Sequence, residues 1–310
     1  MSKITVVGAG NVGATVANVL SMGDVVKEVV LLDIKGDLAR GKALDTWQQA
    51  PINYYSTFCR GTEDYAETAD SDIVVITAGI PRKPGMSRDD LISTNASIVN
   101  QVTKSILEHS PNPIIIVVSN PLDVMTFAAH QAAGLDSSRV FGMAGILDTA
   151  RYRAFLAEAL TVSPKEIQAV LMGGHGDTMV PLPRYTTVAG IPVTELIDGK
   201  VLDAIIDRTK KGGGELVKLM GTSAWYAPGA AAAQMVEAIV KDENRIFPCC
   251  AKLNGQYGLG DIFIGVPVKL GKEGIQQIIE LDLNEEEMKL LNDSAGHVRE
   301  VMEVYQNMDL

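Results

Sequence analysis

The first half of the chain alternates short apolar runs with segments of helical periodicity. The runs are four or five residues long and occupy positions 4–7, 29–32, 73–76 and 114–118. Continuous runs of this length are typical of strands that are buried on both faces of a sheet. Between them, apolar residues within 14–20 and 38–47 recur at the spacing of one helix face. The alternation predicts an α/β fold with a doubly wound parallel sheet and right-handed crossovers.

The second half shows a different pattern, in which the regular alternation stops. Its predicted elements are a strand at 166–172, a helical region at 201–240 interrupted near Gly221 and Pro228-Gly229, strands at 245–253 and 262–270, and a final helix capped by Asn284. We therefore expect two domains with a tight interface. These are residues 1–145 and a C-terminal mixed α+β domain of residues 146–310.

A glycine-rich loop follows the first predicted strand and opens the first predicted helix. Its residues are Gly8, Ala9, Gly10, Asn11, Val12 and Gly13. In this context the first glycine permits a tight turn, the second lets a pyrophosphate approach the backbone, and the third lets helix and strand pack closely. The helix N-terminus offers free N–H groups to phosphates. The pattern predicts a Rossmann-type dinucleotide-binding domain.

A carboxylate ends the second predicted strand. Asp33 lies about 20 residues after Gly13, where it can accept hydrogen bonds from the adenosine ribose and repel a 2′-phosphate. This arrangement favours NAD over NADP. Glycines at a strand-to-helix turn can also serve packing alone, but their coincidence with Asp33 favours a cofactor site.

Polar residues are also predicted at the carboxyl edge of the sheet, where ligands of open α/β sheets bind. We expect the cofactor to contact Asn95, Val118, Ser119 and Asn120 there.

His175 is the candidate acid–base residue, because the ordinary pKa of histidine lies nearest neutrality. It stands between Gly174 and Gly176, which leave room for a substrate. A histidine with a purely structural role is the alternative, and the flanking glycines argue against it. The other histidines, which we expect to be solvated at the surface, are His109, His130 and His297.

An acid–base histidine needs a group that orients it, and the segment around Asp148 and Arg151 supplies one. The two side chains are spaced to share a helix face. We expect Asp148 to bond the far ring nitrogen of His175, and Arg151 to bind a substrate carboxylate. The alternative is a surface ion pair, worth only ~0.3 kcal/mol.

Residues 78–91 have the composition of a hinged lid, with two prolines, two glycines and three basic residues. A lid that excludes water strengthens the effect of the charges it carries. Of its two arginines, Arg82 and Arg88, one can polarise a reacting carbonyl and the other can pair with a second carboxylate. A solvated basic loop is the alternative.

Charge and composition argue against several other classes of protein. The net charge is −11 and there is no basic run, so nucleic acid is not an expected partner. The apolar runs are too short to span a membrane. Cys59, Cys249 and Cys250 lack the spacing of a metal or redox pair and are interpreted as reduced packing residues. We therefore expect a cytoplasmic protein with no metal site.

Five motifs together resemble those of the lactate/malate dehydrogenase superfamily, and within it the bacterial malate dehydrogenases that are similar to lactate dehydrogenases. They are GAGNVG at 8–13, IPRKPGM at 80–86, SNPLD at 119–123, DTAR at 148–151 and GGHGD at 173–177. The resemblance covers essentially the full length. It implies NAD as cofactor and a dimer or tetramer of identical chains.

The resemblance also implies a role for each site residue. His175 would accept the proton, with Asp148 as its partner. Arg151 would anchor the carboxylate beside C2, and Arg88 would polarise the C2 oxygen. Asn120 would contact the substrate and the nicotinamide side of the cofactor. A small hydroxyl residue is also expected near the substrate, and Ser223 is favoured over its neighbour Thr222.

Arg82 is the residue that the resemblance implies sets the substrate. In this family arginine at its position goes with oxaloacetate and malate, and glutamine goes with pyruvate and lactate. The charge argument agrees, since an arginine enclosed with the methyl group of pyruvate would be buried without a partner. We therefore expect a dicarboxylate substrate. An L-lactate dehydrogenase, or another 2-hydroxy acid dehydrogenase of the same superfamily, is the nearest alternative. It is followed by an NAD-dependent glycosidase, which needs a divalent metal, and by a non-catalytic NAD-binding protein.

Overall fold

A computed structural model describes residues 2–81 and 87–308 of the chain. Its strands are β1 Lys3–Val7, β2 Glu28–Leu32, β3 Phe58–Thr62, β4 Ile73–Ile76, β5 Ile114–Val117, β6 Val140–Gly142, β7 Ile167–Gln168, β8 Leu171–Met172, β9 Val180–Pro181, β10 Thr187–Val188, β11 Ile191–Pro192, β12 Arg245–Asn254, β13 Gly260–Gly271 and β14 Gly274–Ile278. Its α-helices are α1 Asn11–Met22, α2 Gly36–Gln48, α3 Ala50–Asn53, α4 Arg88–His109, α5 Leu122–Ala133, α6 Gly145–Leu160, α7 Val193–Leu196, α8 Gly199–Met220, α9 Tyr226–Val240 and α10 Glu285–Gln306.

A nine-stranded sheet forms the centre of the fold, in the order β14-β13-β12-β6-β5-β4-β1-β2-β3. Strands β1 to β6 pair in parallel. Their order reverses between β1 and β4, which is the position where doubly wound sheets bind ligands beyond the carboxyl ends of the strands. The predicted doubly wound parallel sheet is confirmed.

The four predicted strands of the first half are present as β1, β2, β4 and β5, and each is almost entirely buried. Two strands were not predicted. β3 lies at the sheet edge and contains Arg60 and Gly61, so it carries no continuous apolar run. β6 has only three residues, which is too short for a pattern to stand out.

The second half of the chain extends the same sheet. β12 pairs antiparallel with β6 at Cys250 and Gly142, and β13 and β14 follow it antiparallel. The C-terminal strands therefore continue the hydrophobic core of the N-terminal ones. The predicted division between residues 145 and 146 falls at the start of α6 and stays a prediction.

Two predictions for the second half need correction. Residues 166–172 do not form one strand, because β7 and β8 belong to different small sheets. Pro228 and Gly229 do not interrupt a helix, because they lie in the first turn of α9. Proline is tolerated there, since its missing N–H has no partner within the helix.

The C-terminal helix α10 begins as predicted. Asn284 accepts a hydrogen bond from the Glu287 N–H, and the Glu287 carboxylate accepts one from the Asn284 N–H. This capping box fixes the start of the helix. Its buried face, which includes Leu291 and Val298, packs on the sheet and on α5.

The described residues include no helix that is long and apolar enough to cross a membrane. The three cysteines are buried and unbridged, which agrees with their interpretation as packing residues.

Candidate active site

The glycine loop brings the start of α1 close to the end of β1. Gly8 adopts φ +103°, a conformation that favours glycine. A Cβ atom at Gly13 would collide with the carbonyl oxygen of Gly8, so only glycine allows α1 to start this close to β1. At Gly10 an added Cβ would meet no atom within 4 Å. The loop therefore combines two sterically required glycines with one that faces open space.

The N-terminus of α1 is available to an anion. Gly10 is its N-cap residue and provides no side-chain hydrogen bond to the first turn. The first N–H groups of a helix lack partners within the helix and carry partial positive charge. They suit the phosphates of a dinucleotide.

Asp33 is held against the glycine loop. One carboxylate oxygen accepts a hydrogen bond from the Ala9 N–H at 2.6 Å, and the other accepts one from the Lys35 N–H at 2.9 Å. The carboxylate is partly buried at the end of β2. Its predicted contact with the ribose stays a prediction.

The four residues predicted at the carboxyl edge divide into two pairs, of which Val118 and Asn120 line a cavity. Asn95 and Ser119 are buried and bond the backbone: Asn95 contacts Ile80 and the Asn120 carbonyl, and Ser119 donates to the Ala78 carbonyl at 2.6 Å. These two side chains hold neighbouring loops together. Their predicted contact with the cofactor stays a prediction.

Three predicted residues form a continuous hydrogen-bonded group. His175 Nδ1 lies 2.8 Å from Asp148 Oδ2, and Arg151 Nη1 donates to Asp148 Oδ1 at 3.1 Å. The Asp148 side chain is only 2% exposed, whereas those of His175 and Arg151 are 18% and 14% exposed. Asp148 is therefore a buried group that orients its two partners, whereas the side chains of His175 and Arg151 are partly exposed.

The environment of His175 favours its charged form. Burial of the ring opposes protonation, but the adjacent Asp148 carboxylate outweighs it, so the pKa of His175 is raised above its ordinary value. Asp123 acts in the same direction and Arg151 in the opposite one. A protonated histidine can donate a proton to a developing alkoxide.

A cavity of about 320 Å³ connects the glycine loop to these residues. Its lining includes six predicted site residues, namely Val12, Val118, Asn120, Arg151, His175 and Ser223. Thr222 does not line it, which agrees with the preference for Ser223. The loop, the sheet edge and the acid–base group therefore meet in one space.

A second cavity of about 630 Å³ borders the other side of His175 and Asn120. Arg88, the first residue of α4, lines it together with His297 of α10. The helix start is fixed by Ser87, whose side chain and that of Asp90 form a capping box. Arg82 lies outside the described residues.

One face of α8 contributes lining residues that the sequence did not indicate. Lys210, Gly213, Gly214 and Val217 all border the smaller cavity. Their i, i+3, i+4, i+7 spacing is that of a single helix face. These positions are partly buried or exposed, where lysine and glycine are ordinary residues, so no local sequence signal marked them.

The other histidines fit the surface prediction only in part. His297 is exposed and His109 is partly buried. His130 is also partly buried, and its ring lies 5.2 Å from that of Phe263. Burial lowers the pKa of His130. Within the described residues no group of three or more potential metal ligands was found.

Comparisons with known proteins agree with this geometry. A family model described as the lactate/malate dehydrogenase NAD binding domain matches residues 2–142, and one described as the lactate/malate dehydrogenase alpha/beta C-terminal domain matches residues 146–308. A malate dehydrogenase from Cytophaga hutchinsonii is 66% identical, over 99% of this chain and 98% of the relative.

Solved structures show the same similarity, and two of them bear on the choice between malate and lactate. The malate dehydrogenase from Salinibacter ruber is 57% identical with a TM-score of 0.95, over 98% of this chain and 97% of that one. The lactate dehydrogenase from Cryptosporidium parvum, solved with lactic acid and nicotinamide adenine dinucleotide, is 37% identical with a TM-score of 0.95, over 99% of this chain and 98% of that one. The chain belongs to the lactate/malate dehydrogenase family.

Proposed function

We propose that this chain is an NAD-dependent malate dehydrogenase, which transfers a hydride reversibly between (S)-malate and NAD. The observation that carries the proposal is the hydrogen-bonded group of His175, Asp148 and Arg151, which opens into the cavity that reaches the glycine loop. Proton transfer, carboxylate binding and cofactor binding are thereby brought into one cleft. The 66% identity to a malate dehydrogenase supports the choice of reaction.

The described residues fit NAD. Open space at Gly10 and the uncapped N-terminus of α1 suit the pyrophosphate, and Asp33 suits the ribose of NAD better than a phosphorylated ribose. The chemistry that NAD supplies when bound is acceptance of the hydride from C2 of malate, with its return in the reverse direction. Val12 and Val118 would form part of the apolar wall beside the nicotinamide.

His175 carries the proton in the proposed mechanism. Its Nε2 atom accepts the proton of the C2 hydroxyl as the hydride leaves C2, and it returns that proton when oxaloacetate is reduced. Asp148 fixes the tautomer by accepting the hydrogen bond from Nδ1, and its charge stabilises the imidazolium. The raised pKa of His175 suits the proton donor that oxaloacetate reduction requires.

The arginines account for the substrate in this proposal. Arg151 binds the carboxylate beside C2 through its guanidinium, and Asp148 orients it. Arg88 polarises the C2 oxygen, and Asn120 and Ser223 contact the substrate from the cleft wall. Arg82 pairs with the second carboxylate, as the resemblance implies.

L-lactate dehydrogenase is the second candidate, favoured by the similarity to the structure from Cryptosporidium parvum. Arg82 argues against it, because pyruvate offers no second carboxylate to neutralise that charge. Membership of the family argues against a glycosidase, and the complete acid–base group argues against a non-catalytic protein.

We also propose that the chain forms homo-oligomers, dimers or tetramers. Large apolar side chains are exposed near one another along the sequence at Leu44, Ile52, Tyr54 and Phe58. Contiguous exposed apolar surface is typical of a protein interface. Light scattering should give a mass of two or four chains, and a monomer would contradict this proposal. The cytoplasmic location stays a prediction.

The test of function is the loss of NADH absorbance with oxaloacetate, for the unaltered chain and for His175→Asn. We expect rapid turnover by the unaltered chain and a decrease in kcat/KM of about 10³-fold or more for the variant. NADPH should be a much poorer substrate than NADH. The absence of turnover in the unaltered chain, with folding intact, would contradict the proposed function.

A further inference from the structure

The loop that carries His175 is fixed through three consecutive backbone N–H groups. The Gly173 N–H donates to the Gly265 carbonyl of β13 at 2.9 Å. The Gly174 N–H donates to Ser294 Oγ of α10 at 2.8 Å, and the His175 N–H donates to Asp123 Oδ2 of α5 at 2.9 Å. Each bond reaches a different element, so the position of His175 depends on all three.

The loop cannot hold this conformation by itself. Gly173 and Gly176 adopt φ +84° and +109°, values that glycine alone adopts easily. Glycine-rich backbone has high conformational freedom, so external contacts must fix it. Ser294 and Asp123 are the two side chains that bond the loop N–H groups directly. Ser294 is buried, and a Cβ at Gly173 would lie 2.8 Å from its hydroxyl, which shows how closely α10 approaches.

Asp123 differs from Ser294 because its side chain can carry a negative charge. It lies in the first turn of α5, and its Oδ1 atom is buried without a hydrogen-bond partner among the described residues. The Cys250 thiol lies beside the carboxylate. Burial raises the pKa of Asp123, and the His175 N–H and the His175 charge oppose that increase.

His175 therefore contacts one carboxylate through its ring and another through its backbone. Asp148 from α6 contacts its ring, and Asp123 from α5 contacts its backbone. Among the described residues, the other charged or titratable groups that line the two cavities with His175 are Arg151 of α6, Asp177 of the loop, Lys210 of α8, Arg88 of α4 and His297 of α10. Of these, Arg151 opposes protonation of the ring.

We propose that Asp123 is a positioning residue of the active site, which fixes the backbone of His175 and adds a second negative charge beside the imidazolium. Ser294 fixes the same loop without adding charge. The inference rests on the proposed function in one respect, that His175 carries the proton. Asp123 contributes both position and charge, whereas Ser294 contributes position alone. Comparing variants of these two residues therefore separates the effect of charge from the effect of position.

The test compares three single variants. Asp123→Asn keeps an oxygen that can accept the His175 N–H but removes the charge. Ser294→Ala removes a hydrogen bond without changing any charge. Asp293→Asn removes one negative charge from the exposed surface of α10, next to Ser294, and is the matched control. Asp123→Ser gives a second neutral variant if Asp123→Asn does not fold.

The first readout is the pH profile of kcat/KM for oxaloacetate. Reduction requires protonated His175, so activity falls as pH rises through its pKa. In Asp123→Asn we expect the midpoint of this fall in activity to lie about 0.5 to 1 pH unit lower, because a negative charge that stabilises the imidazolium is lost. Ser294→Ala should keep the pH profile and lose about three- to tenfold in kcat. Asp293→Asn should match the unaltered chain in both.

The second readout does not depend on activity. The chain has four histidines, so the NMR signal of the His175 ring can be identified by its loss in His175→Asn. Its titration midpoint should fall in Asp123→Asn or Asp123→Ser, and remain unchanged in Ser294→Ala and Asp293→Asn.

The outcomes distinguish this inference from the proposed function. An unchanged midpoint in the neutral Asp123 variants, or an equal shift in Ser294→Ala, would overturn the role of Asp123 even if the chain reduces oxaloacetate. A lowered midpoint in a chain that does not reduce oxaloacetate would support the role of Asp123 and contradict the proposed function.

Discussion

At the scale of single residues, the central feature is a histidine whose protonation is set by buried carboxylates. Asp148 is 2% exposed and is shared between His175 and Arg151. Removing one partner of such a buried group leaves the others without compensation. In the proposed mechanism Asp148 therefore has two effects, since it favours the charged form of His175 and orients Arg151.

We predict that Asp148→Asn lowers kcat/KM for oxaloacetate by about 10²-fold or more, because both the imidazolium and the orientation of Arg151 lose support. The pKa of His175 is raised mainly by Asp148 against the effect of burial. The loss of activity at rising pH should therefore begin at lower pH in the variant. Steady-state assays across pH measure both effects. An unchanged pH profile would mean that Asp148 does not stabilise the imidazolium.

At the scale of elements, the start of α1 tests the cofactor site. Gly13→Ala places a Cβ against the Gly8 carbonyl oxygen, so helix and strand must separate. We expect NADH affinity to fall by about tenfold or more and stability to fall by about 1–3 kcal/mol. Fluorescence titration and denaturant unfolding measure these effects.

Gly41→Ala is the matched control for that substitution. Gly41 lies within α2, where an added Cβ meets no atom within 4 Å. Alanine is favoured over glycine in a helix by about 1 kcal/mol, so the control should bind NADH normally and be no less stable. Equal losses in both variants would show that the glycine loop has no special role.

The cleft face of α8 gives a further prediction. Lys210 lines the cavity with Arg151, whereas its neighbour Lys211 is exposed and pairs with Asp207 at 2.8 Å. Lys210→Gln should raise KM for oxaloacetate about three- to tenfold at low salt with little change in kcat, because a cation that attracts the dianion is lost. High salt should reduce the difference.

Lys211→Gln removes the same charge outside the cleft and serves as the control. Its KM should stay close to that of the unaltered chain at every salt concentration. If both substitutions raise KM equally, the cause is the net charge of the chain and not the position of Lys210 in the cavity.

The elements also show what the sequence could reveal. Strands β1, β2, β4 and β5 were predicted because burial on both faces requires apolar side chains at every position. Strand β3 was not predicted, because an edge strand tolerates Arg60 and Gly61 and so carries no continuous apolar run. Local motifs identified the glycine loop and His175, since their chemistry lies in consecutive residues.

Contacts between distant segments were not predictable in the same way. Ser294 is far from His175 in the sequence, and only the packing of α10 on the sheet brings its hydroxyl to the Gly174 N–H. Asp123 was visible as part of a motif, but the bond from the His175 N–H depends on how α5 and the loop meet. A pattern within one segment of sequence does not show which distant segments that segment contacts in the fold.

At the scale of the whole molecule, the C-terminal half of the chain extends the central sheet of the N-terminal half. β12 to β14 extend the parallel sheet, and Gly173 bonds β13, so the acid–base loop is fixed to the same core that carries the glycine loop. A shared rigid core can hold the predicted cofactor loop and His175 at a fixed distance and orientation, as coupled hydride and proton transfer requires. The chain as a whole carries a net charge of −11, so in the proposed function the basic residues that line the two cavities, Arg88, Arg151 and Lys210, attract the dicarboxylate locally.

The most direct test is the ratio of kcat/KM for oxaloacetate to that for pyruvate, measured with NADH for the unaltered chain and for Arg82→Gln. We expect a strong preference for oxaloacetate in the unaltered chain. In the variant, oxaloacetate turnover should fall by about 10²-fold or more and pyruvate turnover should improve, because the unpaired charge is gone. A preference for pyruvate in the unaltered chain, or an unchanged ratio in Arg82→Gln, would contradict the assignment of the substrate.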